Sequence, residues 1–556
     1  MNRERRKLIL FVLLLISILI LVACSHAISQ ITPNEAVPIK ETSEESVPSG
    51  SGFYEFGKEP LNVTFYGHYS YYNMPKWGAD PSSKWIQDHL KIHVTGISPE
   101  GNGAHKLQKM IASKKLPDII WGQRDSDLER LRQAGLLVPL DDYIDKYPNL
   151  KKWAGPKVLN LLRAEDGKIY YFPNYYTNQP NGNAGYVVNK KIYRELGSPK
   201  LQTTDDLYNY LRQVKISYPD VVPFETGLAK EGHGIDQLFS AFKEDNFSFT
   251  RNYAVTTGDK MTSIYKDEGF RESAAYVAKL MREGLMTQDA LTQSEQQVFD
   301  KLMNGKVAIF ASVDPMKMAV MANAELSRLN PDDGYFFIDP IYKKGLDPSR
   351  IYPGTYNILG WNVATITTNA KNPEAIFAML DWMTGPEGSA IQMWGPPGPD
   401  GYWDGFNEDG ITPRFTSKYS EALGLAQIQS ISGDMIWVGN TVYIDQTKSA
   451  YEATLPEEKQ NWSTYWQRKV TWKSQGDATP FINLHPMPDT QEGLIYRRVK
   501  EIWIKARADA MFGMTDEEVF KILDNAHNES MAIGFGQYLD YITAKWHSNL
   551  HVLNSQ

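Results

Sequence analysis

The sequence predicts an α/β protein built on mainly parallel sheets flanked by helices, and two observations predict it. Short apolar runs of strand period keep giving way to amphipathic helical stripes along the chain. That order builds parallel sheets, whose ligands lie beyond the carboxyl ends of the strands. The 556 residues also exceed one ordinary domain and suit two large lobes, or three or four smaller units. Hydrophobic residues make up 42% and charged residues 22%, a globular balance. Aromatics reach 12%, with 14 Trp and 31 Tyr, enough rings to serve both a core and a flat-faced ligand.

The chain opens on the basic segment "MNRERRK" and continues through an apolar stretch of 16 residues, "LILFVLLLISILILVA", broken only by Ser17, to Cys24, the only cysteine. A single cysteine allows no internal disulfide and no zinc site that needs paired thiolates. The apolar run is long for a signal core and short for a membrane span. The first 23 residues carry four basic residues and one acid, so without them the net charge of −8 becomes −11. This acidity argues against a nucleic-acid partner. The stretch from Ser25 to about residue 59 is rich in Ser, Pro and Glu and cannot bury enough surface to fold, which predicts a flexible tether.

From Leu61 the elements follow in order. "LNVTFYG" alternates as a strand, and a ring-rich loop with His68, Tyr69, Tyr71, Tyr72 and Trp77 comes after it. "SSKWIQDHLKIHVTG" reads as a helix entering a strand. "HKLQKMIASKKLPDIIWG" repeats the pattern, with Pro117 breaking the helix before a buried strand at Ile119–Trp121. In "TTDDLYNYLRQV", Thr203 and Asp206 form a capping box ahead of a Leu207–Leu211–Val214 stripe. "GKVAIFAS" is a strand entered from Gly305. "NPEAIFAMLDWMTGPEG" places Asn372 at a helix cap, Pro373 in the first turn and Gly385 just past the end.

Several of these stretches resemble a known family. Leu21-Val22-Ala23-Cys24 resembles the bacterial lipobox, which implies cleavage before Cys24 and a diacylglycerol on its sulfur. "MIASKKLPDIIWG", "LRQAGLLVPLDDYIDKYPNL", "GKIYYFPNYY", "GYVVNKKIYRELGSPKLQTTDDLYNYLRQV", "NGKVAIFAS" and "NPEAIFAMLDWMTGPEGSAIQMWG" occur in an order that resembles the extracellular solute-binding proteins of ABC importers, family 1, the long carbohydrate-binding lipoproteins. The resemblance runs from about Leu61 to Gly410. It implies a type II periplasmic-binding-protein-like fold of two α/β lobes with a ligand cleft between them. The expected parts are a signal peptide at 1–23, a tether at 24–59, a first lobe from 60–173 plus 306–358 and a second from 174–305 plus 359–556. Crossings between lobes are expected near Phe172–Tyr176, near Gly305 and between Gly354 and Trp361.

Aromatic rings cover the flat C–H faces of sugars, and polar side chains bind the hydroxyls. Residues at strand ends and crossings are therefore the candidate ligand contacts: His68, Tyr69, Trp121, Arg124, Asn174, Tyr175, Asn178, Asp314, Trp361, Asn362 and Trp394. Trp361 and Trp394 also match aromatic-bearing stretches of the family. A tryptophan is more often core than platform. Trp85 and Trp382 are assigned to packing, and Trp121, ahead of Gly122, suits either role. Arg124 opens a helix, where a solvated charge is the commoner outcome. As a clamp it would imply a carboxylate on the ligand.

Catalytic and metal motifs fail on inspection. His89 and His93 lack the glutamate of a zincin, and "FNEDGI" lacks the spacing of a calcium loop and reads as a turn. Neither a G-x-S-x-G elbow nor a Walker loop occurs. The expectation is a monomeric, non-enzymatic binding protein without cofactor or metal, held at the outer face of the cell membrane by lipid on Cys24. It would capture an oligosaccharide, acidic or plant-derived glycans included, for an ABC importer permease. The alternative is a tethered glycosidase or polysaccharide lyase, which needs a placed pair of carboxylates or a base against an acidic sugar.

Overall fold

The computed structural model describes residues 53–247 and 252–554, and Tyr54–Gln556 forms one compact body. The leader, Cys24 and most of the expected tether lie outside the described residues. The packed chain starts before residue 59. The Tyr54 N–H donates to the Tyr147 hydroxyl at 2.9 Å, and Tyr54 and Phe56 pack on the first core.

Two sheets organise the body. Apart from two short hairpins, at Ala254–Thr257/Lys260–Ser263 and Trp403–Phe406/Pro413–Phe415, the strands in chain order are β1 (Leu61–Gly67), β2 (Ile92–Ile97), β3 (Ile119–Gly122), β4 (Phe172–Asn174), β5 (Gly185–Asn189), β6 (Val222–Glu225), β7 (Val307–Ser312), β8 (Tyr335–Ile338), β9 (Gly354–Tyr356), β10 (Asn362–Ile366) and β11 (Gln475–Asp477). The first sheet has the order β2-β1-β3-β10-β4 and the second β8-β5-β7-β6. β1, β2 and β3 are parallel, while β10 runs antiparallel to β3 and β4. In the second sheet β5 is antiparallel to both neighbours and only β6 and β7 are parallel. The α/β, two-lobed architecture matches expectation, but the sheets are mixed. A strand that returns from the other lobe enters its sheet from the crossing end, opposite to the strands already there.

This pairing corrects the expected lobe boundaries. β7 and β8 lie in the second sheet, so 307–338 belongs with the second lobe, and β10, at the start of the expected second-lobe stretch 359–556, lies in the first sheet. Gly305 is not a crossing. Its φ of 65° turns the chain from the helix Glu295–Met303 into β7 inside one lobe. The chain crosses after β4 and between β8 and β10, at the Phe172–Tyr176 and Gly354–Trp361 stretches, and once more after the helix Thr441–Glu452, which packs on the first lobe's helices. β9 pairs in parallel with β11, tying the second crossing to the segment that follows the third.

Local signals held well. The Thr203–Asp206 capping box opens the helix Thr204–Ser217, which buries Leu207, Leu211 and Val214. Asn372 accepts from the Ala375 N–H at the start of the helix Pro373–Thr384, and Gly385 caps its end. His89 stacks on Trp85 at 4.4 Å. Trp85 and Trp382 are half-buried and pack on the first core. "FNEDGI" is a turn in which Asp409 accepts from the Ile411 and Thr412 N–H groups. The first core gathers Val63, Phe65, Ile119, Phe172, Ala364 and Phe377; the second gathers Tyr186, Leu207, Phe224 and Ile309. Three C-terminal helices, Gln491–Met511, Asp516–Ala532 and Phe535–Asn554, cover the second lobe, with Trp503 against Tyr265 and Phe270.

Candidate functional site

Four chain segments meet at one edge of the first sheet. β1 and β3 are parallel and in register at Gly67 and Trp121, so His68–Tyr69 and Gln123–Arg124 emerge side by side. β10 enters beside β3 with Val363 opposite Gly122, and Asn362 pairs with Asn174 at the end of β4. The register therefore delivers Trp361–Asn362 and Asn174–Tyr175 to the same edge. Gly360 makes this approach feasible. Its φ is +71°, and a Cβ there would sit 1.8 Å from the Asn174 carbonyl oxygen.

Rings converge at that edge. Trp361 lies 5.5 Å from Tyr69 and 5.7 Å, edge-on, from Trp121, and Tyr69 and Trp121 are themselves 5.1 Å apart. Trp361 keeps 44% of its surface exposed, whereas Tyr69 and Trp121 keep 9% and 5%. Trp361 is thus the open face, and the other two rings are its base. Tyr71, also exposed, extends the surface beside Tyr69. Tyr72 backs Trp121, and its hydroxyl accepts from Trp437 Nε1 and donates to the Asp434 carbonyl.

Polar atoms border the rings. Asn362 Nδ2 donates to the Tyr69 hydroxyl at 3.2 Å, while Asn362 Oδ1, Trp121 Nε1 and His68 Nδ1 are buried without a partner. His68 is oriented by its other nitrogen, 3.0 Å from Asp127 Oδ2, and this bond holds the Asp127 carboxyl below its usual range. Arg124 donates from Nη2 to the Gly360 carbonyl at 3.4 Å. Its Nε and Nη1 are buried and unpaired, and burial lowers the guanidinium to about 10.

The other predicted residues divide. Asn174 is fully buried and is a staple for the crossing: its Nδ2 donates to the Ile436 carbonyl and its Oδ1 accepts from the Gly439 N–H. Tyr175 adopts φ 56° at the crossing; burial foremost, then Asp434 and Asp314, raise its phenol. Asp314 lies just past the end of β7 and accepts from the Lys317 N–H at 3.3 Å. It reaches solvent, yet the protein around it raises its carboxyl, as on the wall of a cleft. Asn178 is exposed on the first crossing. Trp394 does not join the site. It is 1% exposed, edge-on to Phe415 at 4.8 Å, because the hairpin Trp403–Phe406/Pro413–Phe415 folds over its helix.

The second lobe holds polar lining residues that the sequence did not single out. A pocket beside the crossings is lined by Gln237, Asn246, Val313, Tyr352 and Thr355, with Asn246 Oδ1 and Thr355 Oγ1 buried and unpaired. No motif marks these residues; only the pairing of β9 and the end of β7 assembles them. Arg130 lies 3.5 Å from Asp489, an exposed ion pair. Among the described residues no cluster of potential metal ligands occurs, and no helix is long and apolar enough to cross a membrane.

Comparison with known proteins gives the family and the fold. The fructooligosaccharide ABC transporter substrate-binding protein FusA of Streptococcus pneumoniae is 28% identical over 258 residues, covering 42% of this chain and 47% of the relative. The polygalacturonan/rhamnogalacturonan-binding protein YtcQ of Bacillus subtilis is 26% identical over 239 residues, covering 41% and 46%. The matched stretch thus spans about half the length of each curated relative. The crystal structure of the alginate-binding protein AlgQ2 without calcium superposes with a TM-score of 0.66 at 18% identity over 88% of this chain and 98% of that one, which establishes a shared fold. The model of the bacterial extracellular solute-binding protein family matches residues 79–390, more than half of the sequence, and the chain belongs to that family.

Proposed function

We propose that this protein captures an oligosaccharide between its lobes, leaves it chemically unchanged and delivers it to an ABC importer. One observation carries the reading: an exposed tryptophan backed by two further rings, bordered by buried nitrogen and oxygen atoms that lack partners. A flat ring offers a stacking face for a pyranose, and the unpaired atoms offer hydrogen bonds to its hydroxyls. Arg124, Asn362, His68 and Trp361 form the first-lobe wall in this reading, and Asp314, Asn246 and Thr355 the second. The names of FusA and YtcQ, both glycan binders, support it. The basic leader, apolar run and Leu-Val-Ala-Cys sequence support a diacylglycerol anchor on Cys24 at the extracellular face.

The test is a thermal-shift screen of a soluble body starting near Ser51 against neutral and acidic oligosaccharides, with the mixtures then analysed for cleavage. A rise in melting temperature with intact glycan is expected, since a ligand that binds only the folded state stabilises it by mass action. Shortened or unsaturated products would favour the glycosidase or lyase reading instead.

A further inference from the structure

We propose that Arg124 is the anchor for a carboxylate, so that the preferred ligand is an oligosaccharide containing uronic acid. This rests on reading the cleft as a glycan site. The side chain makes one hydrogen bond, from Nη2 to the Gly360 carbonyl, and leaves Nε and Nη1 buried and unpaired. A buried charge is normally paired, and one without a partner is costly. The nearby acids do not serve it. Asp125 caps the helix Ser126–Gln133 by accepting from the Asp127 and Leu128 N–H groups. Asp127 is bound to His68, and Glu129 to Arg132 and the Tyr171 hydroxyl. Among the described residues the ionisable neighbour that perturbs Arg124 is Tyr171, a phenol that burial raises further and so keeps neutral.

The location suits a sugar acid in particular. The carbonyl that Arg124 holds belongs to Gly360, the residue before the exposed Trp361. A uronate ring stacked on Trp361 would bring a carboxylate within the reach of the same guanidinium, whose planar fork matches a carboxylate's two oxygens. A neutral sugar would satisfy the N–H groups and leave the charge uncompensated.

The experiment is calorimetry of the lipid-free body with oligogalacturonates, with their methyl esters and with neutral oligosaccharides of similar length. The ester removes the charge and little else. The free acid is expected to bind roughly tenfold to a hundredfold more tightly than its ester, the size of a charge-assisted hydrogen bond. That preference should weaken as ionic strength rises. Arg124→Gln should bring the acid-to-ester ratio near one, and Arg124→Lys should keep part of it, with melting curves showing both variants folded. Equal binding of acid and ester by the parent protein, or an unchanged ratio in Arg124→Gln, overturns the proposal while leaving glycan capture intact. Failure of the folded protein to bind any glycan of either charge overturns both.

Discussion

Trp361→Ala and Trp394→Ala should behave as opposites, although both residues look like sugar platforms in the sequence. Trp361 holds two ring contacts and leaves 44% of its surface open. At about 0.5–1.5 kcal/mol for each aromatic pair, its loss costs the fold about 1–3 kcal/mol. Trp394 is 1% exposed, packed edge-on to Phe415 within the first core, and its Nε1-bearing ring has no open face. A buried Trp→Ala change costs about 3–5 kcal/mol. Unfolding entropy near 2.1 cal/mol/K per residue gives roughly 1 kcal/mol/K for a body of about 500 residues unfolding as one unit. Trp394→Ala should therefore lower Tm by about 3–5 °C and Trp361→Ala by about 1–3 °C. Affinity reverses the order. Losing a stacking ring worth about 1.4 kcal/mol weakens binding about tenfold in Trp361→Ala, while Trp394→Ala should keep the parent Kd. Calorimetric titration with the best ligand from the screen and scanning calorimetry of the free proteins give both numbers. Full affinity in Trp361→Ala, or a tenfold loss in Trp394→Ala with little change in Tm, would refute the assignment of the platform.

Three further outcomes are expected. Asp381 is buried, accepts from the Asn149 and Leu150 N–H groups, and has its carboxyl raised from 3.8 to about 6 by burial. The folded state therefore holds this proton more firmly than the unfolded chain, so its contribution to stability falls as pH rises from about 4 to 6 and is flat above, a change of about 3 kcal/mol. Asp381→Asn should remove that slope from a pH series of Tm values, and an unaltered slope would count against the burial account. Gly360→Ala should strain the crossing against the Asn174 carbonyl and move the carbonyl that Arg124 holds, lowering both Tm and glycan affinity; a variant equal to the parent in both would show that the segments can part at no cost. Cys24→Ala should abolish lipid attachment and release or misprocess the exported protein, measured by mass spectrometry of membrane and medium fractions, and a fully membrane-bound, correctly trimmed variant would remove the lipid anchor.

Elements were legible wherever the signal was local. The capping box at Thr203, the Asn372 cap and the alternation of "LNVTFYG" act through hydrogen bonds and burial within a few residues, and each appears where it was read. The edge of the first sheet was legible for a related reason: once β1 and β3 are parallel, the residues after them must emerge together, so His68, Tyr69, Trp121 and Arg124 meet. Lobe membership was not legible. "VAIFAS" and "NVATI" are equally good buried strands, and only pairing with β5 in one case and β3 in the other sends them to different sheets. The two tryptophans make the same point for the site. Each adjoins a glycine, Gly360 or Gly395, and local sequence does not say that a hairpin nine residues further on will close over Trp394 while Trp361 keeps 44% of its surface exposed. Arg124 reads as a solvated charge at a helix start. Its one hydrogen-bond partner, the Gly360 carbonyl, lies 236 positions away and is brought there only by β10 pairing beside β3. The sequence by itself determined which residues can stack, clamp and anchor, because that chemistry belongs to the side chain. The tertiary structure alone decided which of them stand open, because exposure is set by segments remote in the chain.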